Sequence, residues 1–198
     1  MRTQKYRKSK VLESKFEKHD KIECPDCCDL LLLRDAAADE RNAIAFYLES
    51  ALEVGCPKLF FKVAEDEMQH FIAIMQEISR LDRVQAVKLK EACLDILTLP
   101  RPLPRQELDW MAQVPENERD DGEVNPPTTK DLPSIQALTK ALSDEFHAVN
   151  KYQTYMEKAE DCEVAELFCK LMNDEKEHIA EFTAALFEIT HEPLVPQS

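Results

Sequence analysis

An aspartate, a glutamate and, three residues on, a histidine occur together twice in this chain, as Asp66-Glu67-Met68-Gln69-His70 and, in its other half, as Asp174-Glu175-Lys176-Glu177-His178. On a helix a three-residue step is about one turn, so the Glu and His of each motif leave the same face and reach toward one centre. Two further segments also repeat. DERNAIAFY at 39–47 and DEFHAVNKY at 144–152 share Asp-Glu at the start, Ala at the fifth place, a branched aliphatic at the sixth and Tyr at the ninth. Along the chain the order is Glu40, Glu67-x-x-His70, Glu145, Glu175-x-x-His178, so content and order both repeat, as in a duplicated helical hairpin.

Each glutamate falls inside an apolar stripe of helical period. Leu33, Ala37, Glu40, Ile44, Tyr47 and Ala51 share one face, and Leu138, Leu142, Glu145, Val149, Tyr152 and Met156 repeat that layout. Phe60, Val63, Glu67, His70 and Ile74 line up on a second helix, and Phe168, Leu171, Glu175, His178 and Phe182 on a fourth. A lone ionised carboxylate in a core is heavily penalised, and four need a common explanation. Two metal ions provide one: hard cations attract oxygen ligands, imidazole suits iron and manganese, and carboxylates can bridge. One Glu on each of two helices, with Glu-x-x-His on each of two others, is a donor set for a dinuclear centre. A single Glu-x-x-His, a single Glu at a stripe edge or a single core Tyr would carry no such meaning; the joint pattern of six does. His147 points off its stripe, and His19 and His191 lie outside the four helices.

The elements that must hold these residues can be read from composition and proline placement. The chain has 198 residues, 44% apolar content and only two glycines, which favours helices over a turn-rich β fold. Seven of the eleven prolines lie between Pro100 and Pro133, in a stretch without sustained helical period. Helices are expected on either side of it: a pair at about 29–80, divided at Gly55-Cys56-Pro57, and a pair at about 134–190, divided by an acidic turn around Asp161. A further helix is expected at about 82–98 and another at about 4–20. The predicted organisation is an arm at 1–28, a bundle over 29–190 with its crossover at about 99–133, and a tail at 191–198. The crossover could also let two chains exchange helix pairs.

Charge and cysteine content narrow the partners. The net charge is −14, yet residues 1–21 carry eight Lys or Arg against three acids. An acidic body argues against nucleic acid, and such a basic arm reads first as a solvated face or terminus. No apolar stretch approaches the roughly 20 residues of a membrane span. No apolar segment follows the basic start, so a cytoplasmic protein is expected, with its seven cysteines reduced.

Through DERNAIAFY, DEMQH, DEFHAVNKY and DEKEH, over roughly residues 29–80 and 134–190, the sequence resembles the ferritin-like superfamily and, within it, the rubrerythrin-like branch. The resemblance implies an all-α, ferritin-like four-helix bundle holding two iron ions, with manganese as the alternative. It implies Glu40 and Glu145 as terminal ligands, Glu67 and Glu175 as bridging carboxylates, and His70 and His178 each capping one ion. Tyr47 and Tyr152 match tyrosines beside the family's metal centre that hydrogen-bond to ligating carboxylates. The implied activity is reduction of hydrogen peroxide or dioxygen with electrons from an external donor, in a homodimer or larger homo-oligomer. A ferroxidase with iron storage would use the same ligands, as would a manganese catalase; a helical scaffold is the non-enzymatic alternative. Against a storage cage stands the tail HEPLVPQS, which leaves no fifth helix. Two departures stand out. Ala148 occupies the position of a further ligand glutamate, and the cluster at Cys24, Cys27 and Cys28 supplies at most half of a tetrahedral thiolate site, so a built-in rubredoxin is not expected.

Overall fold

The structure is a computed structural model that describes residues 28–98 and 127–190. The basic arm, most of the crossover and the tail lie outside the described residues, as do Cys24, Cys27, His19 and His191. Five α-helices and one 3-10 turn make up the rest, with no strand among the described residues: α1 (Cys28–Glu53), α2 (Pro57–Leu81), α3 (Arg83–Glu91), the 3-10 turn Asp95–Leu97, α4 (Leu132–Lys158) and α5 (Cys162–Thr190). The expected segment at about 82–98 divides into α3 and the 3-10 turn, joined through Cys93, whose φ of 60° takes it out of helical geometry.

Local chemistry sets the helix ends. Pro57 sits in the first turn of α2 and Pro133 in that of α4, where a missing amide hydrogen costs nothing. Asp82 caps α3, its Oδ1 accepting from the amides of Val84 and Gln85 at 3.0 Å each. The turn between α4 and α5 is held from α1: the fully buried carboxylate of Asp29 accepts from the amides of Glu160 at 3.0 Å and Asp161 at 2.9 Å. At the other end the Gly55 amide donates to Ser134 Oγ at 3.0 Å.

These two ties fix the topology. The start of α1 lies beside the α4–α5 turn and its end lies beside the start of α4, so α1 and α4 are antiparallel neighbours. The chain leaves α2 at one end of the bundle and re-enters α4 at the other. The directions are therefore up, down, down, up, the order of a ferritin-like bundle with one long crossover. This is an all-α, ferritin-like fold.

The core falls into two apolar clusters, each built from all four long helices. One gathers Leu33, Ile78, Tyr152 and Phe168 among others; the second gathers Tyr47, Phe60, Leu138 and Phe182. Phe60, Phe168 and Phe182 expose no surface, each contributing about 1.5–3 kcal/mol of burial. The stripes of α1, α2 and α5 are buried throughout, whereas on α4 Leu142, Val149 and Met156 are only half-buried. Between the two clusters lies the polar layer.

Candidate metal centre

Glu40, Glu67, His70, Glu145, Glu175 and His178 are all buried, none more than 4% exposed. They form two quartets. Glu40, Glu67, His70 and Glu175 can bring one ligand atom each within 4.8 Å of one another, and so can Glu67, Glu145, Glu175 and His178. The quartets share Glu67 and Glu175, one from each Glu-x-x-His motif.

The histidines present Nδ1 to the carboxylates. His70 Nδ1 lies 3.0 Å from Glu67, 3.3 Å from Glu175 and 3.8 Å from Glu40. His178 Nδ1 lies 2.9 Å from Glu175, 3.5 Å from Glu67 and 3.6 Å from Glu145. The other ring nitrogen of each faces the aspartate of the opposite motif, His70 Nε2 at 3.4 Å from Asp174 and His178 Nε2 at 3.6 Å from Asp66. The repeated Asp of Asp-Glu-x-x-His thus serves the other motif's histidine. A carboxylate behind an imidazole fixes its tautomer and orientation and raises its basicity as a ligand.

The tyrosines cross between helix pairs as well. The Tyr47 hydroxyl on α1 donates to Glu145 on α4, and the Tyr152 hydroxyl on α4 donates to Glu40 on α1. All of these contacts obey one internal pseudo-two-fold axis that exchanges the hairpins: Glu40 with Glu145, Tyr47 with Tyr152, Glu67 with Glu175, His70 with His178 and Asp66 with Asp174.

Electrostatics reflect the crowding. Burial, and then the charges of Glu175 and Glu67, push the Glu145 carboxyl up to about 8 against the hydrogen bond from His178. Burial and the neighbouring charge of Glu67 push Glu40 well up. Burial would raise Glu67 too, but hydrogen bonds from His178, His70 and Glu40 outweigh it and hold that carboxylate low. Burial would favour neutral imidazoles, yet the surrounding carboxylates raise both histidines. Burial, followed by the adjacent glutamate's charge, keeps Tyr47 and Tyr152 protonated far beyond the usual phenol range. Without a cation, therefore, this layer must take up protons to offset its own repulsion. Two divalent ions would balance four carboxylates with no protons at all, and the donors are hard oxygens and imidazole. The residues present fit a dinuclear metal site.

A crevice of about 310 Å3 opens onto this layer from the α1/α4 side. Its floor includes the four glutamates and both tyrosines, and neither His70 nor His178 lines it. Ala43 and Ala148, equivalent under the pseudo-axis, both face it, so position 148 contributes space rather than a carboxylate. Exposed His147 stands at its rim. So do Lys140, paired with Asp144, and Lys151, paired with Asp39 and, at 2.7 Å, with Asp35.

Residues 136–195 match the Rubrerythrin family model. The match covers nearly all of α4 and α5, and with them Glu145, Tyr152, Glu175 and His178. The chain is rubrerythrin-like over that pair, and the internal repeat carries the same chemistry into α1 and α2. No curated protein and no solved structure matches the chain. No helix among the described residues is long and apolar enough to cross a membrane. Cys28, Cys56, Cys93, Cys162 and Cys169 are free thiols, outside both quartets.

The sequence pattern singled out all six quartet residues and both tyrosines, and the structure brings the eight together. It missed three features: the crossed Asp66 and Asp174, the lysine and aspartate pairs at the rim, and the crevice. The aspartates left a signal, since the acid before each glutamate repeats with the rest of the motif.

Proposed function

We propose that this chain is a di-iron oxidoreductase that reduces hydrogen peroxide, or dioxygen, with electrons from an external donor. The observation that carries the reading is the pair of four-residue ligand sets sharing two carboxylates, open to a crevice on the side away from the histidines. Glu40 with His70 and Glu145 with His178 would each hold one ion, and Glu67 and Glu175 would span both. Two iron ions so held supply the two electrons that breaking an O–O bond requires.

The protein's own part is binding, orientation and control of protons. Asp174 and Asp66 hold the imidazoles with Nδ1 turned inward. Tyr47 donates to Glu145 and Tyr152 to Glu40, and so each would orient the carboxylate that holds an ion. In the metal-free layer burial and the adjacent glutamate hold both phenol protons, so each hydroxyl acts there as a donor to its carboxylate. Oxidant enters through the α1/α4 crevice, where protons can follow from solvent, while the two apolar clusters keep water from the layer's ends. The two-fold arrangement makes the two donor quartets equivalent, so two ions held there would meet like surroundings.

The test is metal analysis of protein purified without oxygen, followed by stopped-flow oxidation of the ferrous form by peroxide. About two irons per chain, fast oxidation and recycling by an added reductant are the expected results. Accumulation of many irons per chain as a soluble mineral, with negligible reductant-dependent peroxide turnover, would instead assign the same ligands to a storage ferroxidase.

A further inference from the structure

We propose that the α1/α4 crevice makes the centre a site for small organic hydroperoxides, with the O–O group against the glutamate floor and the organic part against Ala43, Phe46 and Ala148. This inference rests on the peroxide reading above and narrows its substrate class. At a water's share of about 30 Å3 per non-hydrogen atom, hydrogen peroxide takes up roughly 60 Å3, a small part of the volume present. The crevice has about 310 Å3, at the lower end of the range of small-molecule sites. By the same measure tert-butyl hydroperoxide needs about 180 Å3 and leaves room for the ions.

The lining is graded in the same sense as such a molecule. Carboxylates and tyrosine hydroxyls form the floor, and half-buried Ala43, Phe46 and Ala148 form part of the wall above it. At the rim the two lysines are each ion-paired, Lys140 with Asp144 and Lys151 with Asp35 and Asp39, and Lys140 also lies 4.7 Å from the centre of the Phe46 ring. Cations already paired favour a neutral guest over an anion. Methyl groups at the equivalent positions 43 and 148 keep the wall open; a larger side chain at either would close it.

The reaction balances without another participant in a single turnover. The O–O bond of ROOH breaks, two protons from solvent and two electrons enter, and ROH and water leave; two ferrous ions supply the electrons and end ferric. Binding can be read without metal. On the full-length, metal-free chain, tert-butanol, the unreactive product, is followed by saturation-transfer NMR and by shifts of 13C-labelled alanine methyls.

We expect saturation of tert-butanol and movement of the Ala43 and Ala148 methyls, saturation lost in Ala148→Phe and reduced in the milder Ala148→Val. In the ferrous form, Ala148→Phe should lower the ratio of the tert-butyl hydroperoxide rate to the hydrogen peroxide rate by about tenfold or more. No contact with tert-butanol in the wild type, or contact undiminished in both variants, overturns the proposal. Wild-type iron protein that consumes hydrogen peroxide but not the organic peroxide overturns it alone. Iron protein inert to both oxidants instead sinks the peroxide reading, and this inference with it.

Discussion

Stripped of metal, the bundle should lose stability as pH rises from about 5 to about 8, and ferrous iron should abolish that loss. The Glu145 carboxyl is pushed to about 8 in the folded chain against 4.5 for an ordinary glutamate. Between those values the folded protein keeps a proton that the unfolded chain has released. Stability from this group is therefore whole below about 4.5 and drains away as pH climbs toward 8, at about 1.4 kcal/mol per pH unit for one proton. Three units amount to about 4 kcal/mol, or roughly 8–16 °C in Tm for a chain of this size. Glu40 is raised and acts in the same direction. His70 and His178 are also raised, so their share is present below 6.5 and is lost above it, again with the same sign. Glu67, Asp35, Asp161 and Asp174 are lowered instead, so their contribution is lost only in acid, below the window.

With iron bound, the ligands are carboxylates and neutral imidazoles; the unfolded chain then holds extra protons only on its two histidines, so stability climbs from pH 5 to about 6.5 and stays level above it. Thermal melts by circular dichroism at half-unit steps, once with chelator and once with ferrous iron under argon, would measure both slopes. A metal-free Tm that is flat or rising between pH 5 and 8 would refute the account. It would mean that the four carboxylates coexist ionised without a cation.

Three further outcomes follow from the same geometry. Tyr47→Phe and Tyr152→Phe each leave a buried glutamate short of a hydrogen bond, so each should cost the metal-free protein about 1–3 kcal/mol in denaturant melts; the pseudo-axis requires the two losses to be similar. Asp66→Asn and Asp174→Asn should each weaken metal binding by about 10–100-fold in chelator competition, since each frees an imidazole from its carboxylate; unchanged affinity would deny the crossed aspartates any part in the site. Glu67→Ala removes a carboxylate common to both quartets, so bound metal should fall below about two ions per chain while far-ultraviolet dichroism still reports a helical bundle.

How much of this was legible beforehand depends on the range of the interaction. Helical phase is a local property: the step from Phe60 through Val63 and Glu67 to His70 and Ile74 is visible in the letters, and all five are buried. Phase says which face a residue takes but not how far that face is covered, which is why Leu142, Val149 and Met156 share a stripe with Glu145 and yet are half-buried. The contact of Asp174 with His70 depends on the antiparallel register of α5 against α2. The turn clamp of Asp29 and the tie from Gly55 to Ser134 set registers of this kind, and each joins residues far apart in sequence. The crevice was hidden for another reason: it is space left by two alanines, and a small residue in a sequence does not say whether a neighbour fills the room beside it.

The pseudo-axis separates what the two hairpins have in common from what they do not. Within the layer every equivalent pair is the same residue: Glu40 and Glu145, Tyr47 and Tyr152, Glu67 and Glu175, His70 and His178, Asp66 and Asp174. At the rim Asp39 and Asp144 still match, but other pairs diverge, Asn42 standing opposite His147, Phe46 opposite Lys151 and Asp35 opposite Lys140. Holding two like ions demands like donors, so a change in one half of the layer would unbalance charge and geometry for both ions through the shared glutamates. The rim holds no ion; its two sides meet through the pairs of Lys151 with Asp35 and Asp39, which do not require like residues on both helices. The cationic groups there come from α4 and the apolar ring from α1, so a guest meets two different walls above a symmetric floor. That asymmetry can orient a molecule with unlike ends, which the ion site below cannot do by itself.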